Sequence, residues 1–323
     1  MTPSRSGRAT LVLAAVGAAA ALLAPGALAR HRAPAPARRP VPSSASAVQL
    51  TTPSPVALGR SAVLLAGDRI HVRGTVSNHV AGQSVTLLLA RGGHTVRRVT
   101  VAPVGGSSGR FAVSLRLNRP GRYLLRAAGA SGGGALGIQV VAGGRGDRLS
   151  LRALQQGLAD LNYQVSHSGS FDLGTPLAVL AYRKVNGMDR SSAVNREVML
   201  RVLHGRGAFH PRFKGPRHVE ANLGEQVIAL VNPGGRVFRV IPTSSGKAST
   251  PTVLGRFHVY QKDPGTNGEG MFDSNYFIGG YAIHGYPDVP TYAASHGCLR
   301  IPNSIAPFVF GWIRTGDEVD VYS

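Results

Sequence analysis

Alternation of apolar and polar positions is the clearest pattern in the first half of the chain. Five short segments between residues 57 and 141 alternate with a period of two, as strands with one buried face do. They cover residues 69–76, 84–90, 96–101, 110–117 and 122–128. Gly, Asn and Ser turns separate them, which is typical of an antiparallel sandwich. We therefore predict a β-sandwich over residues 56–142.

The period changes after residue 147. Leu151, Leu154, Leu158 and Leu161 recur at helical spacing, and a second apolar stripe with this spacing follows Thr175-Pro176. The pattern predicts a small helical domain over residues 147–205.

Strand patterns return near residue 226. Residues 226–231 and 236–242 flank Asn232-Pro233-Gly234-Gly235, a strong hairpin signal. Three further strands are predicted, at residues 257–261, 276–284 and 318–322. A loop is predicted over residues 263–275, and a helix over residues 303–314 with Asn303 as its cap. Residues 222–323 thus form a third, mostly β domain, and the whole chain is a mostly-β multidomain protein.

The first 55 residues show neither the period of two typical of strands nor the spacing typical of helices. Residues 1–29 combine Arg5 and Arg8 with an apolar run that ends in Ala27-Leu28-Ala29, which predicts a secretory signal peptide. An uncleaved membrane anchor is the alternative. Residues 30–55 predict a disordered tether and residues 129–146 a glycine-rich linker. We expect a secreted protein of the cell wall or periplasm that touches the membrane only if the signal segment is retained.

The positive charge of the chain is unevenly distributed. The net charge is +21, yet residues 220–323 hold seven Lys/Arg against nine Asp/Glu, whereas residues 1–219 hold 29 against six. Nucleic acid is not expected as a partner, because no recognition helix or aromatic-basic motif accompanies the charge. Anionic polymers of a cell envelope are one explanation, and an arginine-rich genome is the other.

Candidate chemistry centres on the single cysteine, Cys298, in the string Ser295-His296-Gly297-Cys298-Leu299-Arg300. A lone cysteine in an exported chain has no partner for an internal disulfide. A buried, inert thiol is the plain alternative. Adjacent polar residues and a second His-Gly pair upstream, His284-Gly285, favour a nucleophile activated by histidine.

Two histidines are candidates for activating the thiol, whose pKa a neighbouring imidazole would lower. His284 lies on a predicted strand and is suited to act as the base. The amides of His296, Gly297 and Cys298 form a candidate nest for an oxyanion, with a purely structural hydrogen bond as the alternative for His296. Arg300 either binds a substrate carboxylate or braces the loop.

A zinc site made of His284, His296 and Cys298 is conceivable from the ligand types. No accompanying Cys-x-x-Cys or His-x-x-x-His spacing supports it. We expect no metal and no cofactor.

The motifs His284-Gly285 and Ser295–Arg300, preceded by Ser245-Gly246-Lys247 and by residues 250–257, resemble the signature of the YkuD-type L,D-transpeptidases, which cross-link peptidoglycan. This resemblance covers about a third of the chain. Residues 161–188 resemble a peptidoglycan-binding-like helical domain. Residues 118–123 loosely resemble the close of bacterial immunoglobulin-like domains, so the sandwich is expected to be immunoglobulin-like.

The resemblance implies a mixed β-sandwich catalytic domain with Cys298 as nucleophile and His284 as base. Gly285, His296 and Gly297 are the orienting or oxyanion residues expected beside them. Residues expected to bind substrate are Ser295, Arg300 and Tyr276.

The implied reaction is transfer of a peptidoglycan stem peptide through a Cys298 thioester to the amine of a second stem. Resolution by water would instead make the enzyme an L,D-carboxypeptidase. A wall-binding structural protein with an idle site is the alternative from another class. A cysteine endopeptidase is less favoured, because such enzymes usually place the cysteine before the histidine.

Overall fold

The computed structural model of the chain describes residues 46–128 and 134–323. The predicted signal peptide and the predicted tether as far as residue 45 lie outside the described residues. None of the helices within the described ranges is long and apolar enough to cross a bilayer.

The sandwich consists of two sheets whose inner faces are apolar. Its strands are β1 Val48–Thr51, β2 Ala57–Leu58, β3 Ser61–Leu65, β4 Asp68–Ser77, β5 Val85–Arg91, β6 His94–Val101, β7 Ser108–Leu117, β8 Gly121–Ala127 and β9 Ala135–Val141. One sheet has the order β1-β4-β7 and the other β2-β3-β9-β8-β5-β6. Every second residue of β4 is buried, and Val72, Leu87, Leu115 and Leu125 fill the space between the sheets. The five strands predicted from alternation are present as β4 to β8.

Two segments predicted as linkers are strands. β1 lies in the predicted tether and pairs antiparallel with β4, Val48 opposite Val76. β9 lies in the predicted glycine-rich linker, where it pairs with both β3 and β8. It was missed because glycines precede a continuous apolar run rather than an alternating one.

Three helices follow the sandwich: α1 Arg148–Asp160, α2 Gly174–Val185 and α3 Arg196–Leu203. The Asp147 side chain caps α1 by accepting from the amides of Leu149 and Ser150. The helices share one apolar core with the parts of the chain on either side, since Leu158 and Tyr182 cluster with Val63 of the sandwich and Val240 of the C-terminal domain.

The C-terminal domain combines two sheets and one short helix. The first sheet has the order β12-β11-β10-β18-β13 and the second β14-β15-β16-β17. The elements are β10 His218–Asn222, β11 Val227–Asn232, β12 Arg236–Pro242, β13 Gly255–His258, β14 Gln261–Thr266, β15 Phe272–Ile278, β16 Tyr281–Tyr286, β17 Leu299–Pro302, α4 Ala306–Trp312 and β18 Glu318–Tyr322. The domain begins with β10, before the predicted boundary at residue 222.

Three local predictions in this domain were wrong. The predicted strand over residues 276–284 is two strands, because Gly279 and Gly280 form the turn between β15 and β16. Most of the predicted loop over residues 263–275 belongs to the irregular hairpin of β14 and β15. The residue that caps α4 is Ile305 without a side-chain hydrogen bond, rather than Asn303.

Candidate active site

Cys298 lies one residue before β17, at the edge of the second sheet. β17 pairs in parallel with β16, and this register sets Ile283 opposite Leu299 and His284 opposite Arg300. Leu299, Ile301 and Ile283 point into the apolar core. Because side chains alternate along a strand, Cys298, Arg300 and His284 share the other face of the sheet. The register thus places the two residues that the sequence predicted as nucleophile and base on the same face of the sheet.

The thiol sits in a notch between two turns. Cys298 is half-buried, and its Sγ lies 3.9 Å from Met271 Sδ and 3.7 Å from the Gly280 carbonyl oxygen. Met271 comes from the turn between β14 and β15, and Gly280 from the turn between β15 and β16. Neither residue was singled out from the sequence, since nothing in the local pattern indicates that these turns meet the cysteine.

Burial raises the pKa of the Cys298 thiol, although a hydrogen bond from the Ala282 backbone and the charge of Arg300 act in the opposite direction. The thiol is therefore protonated at neutral pH. The expectation of a histidine-lowered thiol pKa was wrong for this resting arrangement, because desolvation outweighs the groups that favour the thiolate.

His284 is buried on β16 with one ring nitrogen engaged. Its Nδ1 lies 2.9 Å from the Gly285 carbonyl oxygen, and because a carbonyl only accepts, Nδ1 carries the hydrogen. Nε2 then holds a lone pair. Burial lowers the pKa of His284, and the charge of Arg300 adds to this effect. The imidazole is neutral at neutral pH, the state in which it can accept a proton.

Gly285 orients His284 through its carbonyl and also has to be small. A Cβ at this position would lie 2.7 Å from both Ala306 Cβ and Asn303 Oδ1. The glycine thus permits the close approach of the segment that begins α4.

A tight turn holds the residues immediately before the cysteine. Ser295 is fully buried, and its Oγ donates to the Cys298 carbonyl at 2.6 Å and accepts from the Gly297 amide at 3.1 Å. Gly297 has a φ of +122°, and a side chain there would clash with the Tyr281 ring. Ser295, predicted to bind substrate, instead closes the turn. The predicted nest loses its central donor, because the Gly297 amide is already used.

The segment around Ser245-Gly246-Lys247 lies against this turn. The Ser245 carbonyl accepts from the amides of Ala294 and Ser295, each at 2.9 Å, and the Lys247 amide donates to the Ser295 carbonyl at 3.0 Å. Thr252 Oγ1 donates to the Gly297 carbonyl at 2.8 Å. Two motifs far apart in sequence therefore form one hydrogen-bonded unit around the cysteine.

A buried lysine connects α2 to this unit. Lys184 is 4% exposed, and its Nζ donates to the carbonyls of Gln226 at 3.0 Å and Thr243 at 2.9 Å. Burial lowers the pKa of Lys184 to about 7, and the charge of Arg190 adds to the effect. The Gln226 side chain in turn donates to Ser245 Oγ at 2.6 Å and accepts from the Ser245 amide at 3.0 Å.

The remaining predicted residues lie around the mouth of the site. His296 is exposed, with Nε2 3.1 Å from Lys247 Nζ. Arg300 lies over the Tyr286 ring, 4.1 Å from its centroid. The Tyr276 hydroxyl accepts from Asn267 Nδ2 at 3.0 Å, and Asn267 Oδ1 accepts from the Met271 amide. Tyr276 therefore supports the turn that touches the thiol.

Within the described ranges, no group of three or more His, Cys, Asp or Glu side chains is arranged to hold a metal ion.

Comparison with known proteins gives a family match and several similar structures. Residues 216–321 match the family of L,D-transpeptidase catalytic domains known as YkuD. An L,D-transpeptidase of Xylanimonas cellulosilytica with a known crystal structure is 33% identical; the match covers 53% of this chain and 92% of that one, with a TM-score of 0.49.

Two further matches concern shorter shared regions. L,D-transpeptidase 1 of Mycobacterium tuberculosis is 29% identical over 112 residues, which is 28% of this chain and 45% of that protein. The chain thus spans less than half the length of this curated relative. The structure of a cysteine-to-serine variant of the Enterococcus faecium L,D-transpeptidase is 25% identical, covers 39% of this chain and 62% of that one, and has a TM-score of 0.30.

Proposed function

The chain belongs to the YkuD L,D-transpeptidase family through its catalytic domain at residues 216–321, and we propose that it cross-links peptidoglycan stem peptides through a thioester on Cys298. The observation that carries the proposal is the pairing of β16 with β17, with a protonated thiol and a neutral imidazole on one face of the sheet.

In the first half-reaction, Cys298 Sγ attacks the peptide carbonyl that follows the L-centre of diaminopimelate in a donor stem. The thiol proton passes to His284 Nε2 as the C–S bond forms. Because both groups start neutral, proton transfer accompanies attack rather than preceding it. When the tetrahedral intermediate collapses, the C–N bond breaks, and His284 returns the proton to the departing D-Ala amine.

In the second half-reaction, the side-chain amine of another stem attacks the thioester. His284 accepts a proton from that amine, the C–S bond breaks, and His284 returns the proton to the departing thiolate, which restores the thiol. The product is a 3→3 cross-link. Water in place of the amine would give the trimmed stem of an L,D-carboxypeptidase.

The oxyanion formed at each tetrahedral stage needs hydrogen-bond donors. With the Gly297 amide occupied by Ser295, the amides of His296 and Cys298 are the donors assigned here. The Arg300 guanidinium, held over Tyr286 beside the site, is assigned to a carboxylate of the stem peptide.

We also propose where the protein acts and what its other domains do. The protein acts at the wall after export directed by residues 1–29. The sandwich and the helices, residues 56–205, present the catalytic domain to its polymer.

Mass spectrometry of muropeptides tests the reaction. Purified protein incubated with disaccharide-tetrapeptide stems is expected to release D-Ala and to form 3→3 dimers. A carbapenem, the inhibitor class implied by the family, is expected to add its mass to the wild-type protein and not to Cys298→Ala. Trimmed stems without dimers would establish the carboxypeptidase reaction, and an adduct on Cys298→Ala would contradict the nucleophile.

A further inference from the structure

A cleft separates the six-stranded sheet of the sandwich from helix α1. Its volume is about 440 Å³, and it lies away from Cys298, among residues for which the proposed reaction has no use. Clefts between packed units are frequent ligand sites. The polar side chains that line it are Ser61, Arg122, Gln139, Arg152, Gln156 and His167.

The cleft gathers positive charge without an acidic lining residue. Arg122 and Arg152 form no ion pair with any carboxylate in the part of the chain that the structure describes. The carboxylate of Asp160, at the end of α1, accepts a hydrogen bond from Gln156 Nε2 at 2.8 Å, and this contact is exposed to solvent. Two guanidinium groups that share a concave surface without counter-charges repel each other. An anionic ligand would relieve that repulsion.

The sandwich as a whole shows the same imbalance. Residues 46–142 contain eleven arginines and one acidic residue, Asp68, whose carboxylate lies 2.8 Å from His204 Nε2. A genome that favours arginine explains many arginines, but it does not explain the lack of acidic residues, since residues 220–323 of the same chain contain nine. Genome bias, the alternative explanation of the charge, therefore accounts for the arginines of the sandwich but not for its lack of acidic residues.

The positions of the cleft side chains are set by ordered structure. Arg122 on β8 stands directly opposite Gln139 on β9, so the two side chains lie on the same face of the sheet. Gln139 is 5% exposed. The stem of Arg152 packs on Gly169, where φ is +73° and an added Cβ would lie 2.8 Å from Arg152 Cγ. A stem held in this way reduces the entropy lost when the Arg152 guanidinium binds.

We infer that this cleft binds a phosphate group of a linear, anionic wall polymer. Two planar guanidinium forks are suited to phosphate oxygens, and the Ser61 hydroxyl and the His167 ring add further donors. Only the wall location rests on the proposed function. Bound there, the polymer would hold the enzyme at the wall through the sandwich and leave the Cys298 face open to stem peptides.

Binding of a fluorescently labelled polyol phosphate oligomer to the full chain, followed by anisotropy at physiological salt, tests the inference. Arg122→Gln combined with Arg152→Gln is expected to lower the affinity by about tenfold or more. The matched control removes the same charge from the outer face of the other sheet with Arg73→Gln and Arg110→Gln. It is expected to change affinity less than about twofold, because exposed charges distant from the ligand are screened.

Equal losses in the two double variants would overturn the site and leave only diffuse charge attraction. A second variant, Arg122→Lys with Arg152→Lys, keeps the charge but removes the forks, and we expect an intermediate loss. Wild-type affinity in that variant would also argue against a built site. Tighter binding of polyglutamate would assign the cleft to carboxylates, and tighter binding of duplex DNA would reject a wall ligand; either result overturns the inference.

Acylation of Cys298 by a carbapenem serves as an independent readout in every variant, and we expect it to be unchanged. Absence of acylation throughout would count against the proposed reaction. Normal acylation without polymer binding would count against the cleft alone.

Discussion

The sandwich and the C-terminal domain are both built mainly from strands, yet the sandwich buries almost no polar side chains and the C-terminal domain buries many. Among the described residues of the sandwich, Gln139 is the one polar side chain that is buried. The C-terminal domain buries thirteen polar or charged side chains between His218 and Asp320. A buried polar group costs free energy unless it is hydrogen-bonded. We infer that the sandwich is stabilised mainly by its apolar interior. In the C-terminal domain, hydrogen bonds between buried polar groups replace part of the apolar packing and hold the irregular turn around Cys298.

The two regions also differ in whether their charged side chains form ion pairs. The sandwich places its arginines on outward positions, as at Arg69 and Arg73 of β4. The C-terminal domain pairs its charges, for example Arg217 with Asp317 at 2.7 Å. Unpaired surface charge is suited to a polymeric anion, whereas paired charge fixes local structure.

The largest effect is expected at the buried imidazole. His284→Ala should slow acylation of Cys298 by about 10²–10⁴-fold, the usual contribution of a general base. His296→Ala is the matched control, since that ring is exposed and lies beside Lys247 at the mouth of the site. We expect it to cost less than tenfold, or about 1.4 kcal/mol. Rates of carbapenem acylation, measured by intact mass, compare the two. A larger loss for His296→Ala would reverse their roles.

The pH dependence of acylation should follow from the burial of His284. Protonation removes the lone pair on Nε2, so the rate falls on the acid side. Because burial lowers the pKa of His284 from 6.5, the midpoint of this fall should lie below pH 6.5, and the rate should drop about tenfold per pH unit below it. Stopped-flow acylation between pH 4.5 and 8 measures the midpoint, with His296→Ala as a control expected to share it. A midpoint above pH 6.5 would exclude a desolvated His284 as the base.

The candidate nucleophile and base could be identified from the sequence, since few residue types act in these roles and Cys298 is the single cysteine of the chain. The contacts that surround these two residues could not be predicted. Met271 and Gly280 reach the thiol only because two turns converge, and the link from Lys184 to Ser245 depends on contacts between distant segments. The pairing of β14 with β15 was also hidden, because its register shifts between Asp263 and Thr266 and so breaks the alternation on which strand prediction depends.

Lys184 provides a test of the buried network. A lysine with a folded pKa of about 7 is neutral in the folded protein and charged in the unfolded chain between pH 7 and about 10.4. The unfolded state then binds more protons, so stability rises with pH over this window. Lys184→Met lacks this contribution. The stability of the wild type relative to Lys184→Met should increase by about 2 kcal/mol between pH 7 and 9.

Urea unfolding of both proteins at the two pH values gives this difference, and titrations shared by the two proteins cancel. Lys247→Met, which removes a lysine side chain from a half-buried site, is the matched control for loss of a lysine. A pH-independent difference for Lys184→Met would mean that the lysine stays charged when buried, and the network would then hold a cation rather than a neutral amine.

The same chemical change in the two regions gives the smallest expected effect and the most direct comparison. Ser245→Ala removes an acceptor that Gln226 Nε2 reaches at 2.6 Å in a fully buried setting, and should cost about 1–2 kcal/mol of unfolding free energy. Ser114→Ala removes the same hydroxyl from the exposed face of β7 and should change stability by less than about 0.5 kcal/mol. Urea unfolding measures both. Equal costs would show that the buried polar groups of the C-terminal domain are not the source of its rigidity, because loss of a solvated hydroxyl would then matter as much as loss of a networked one.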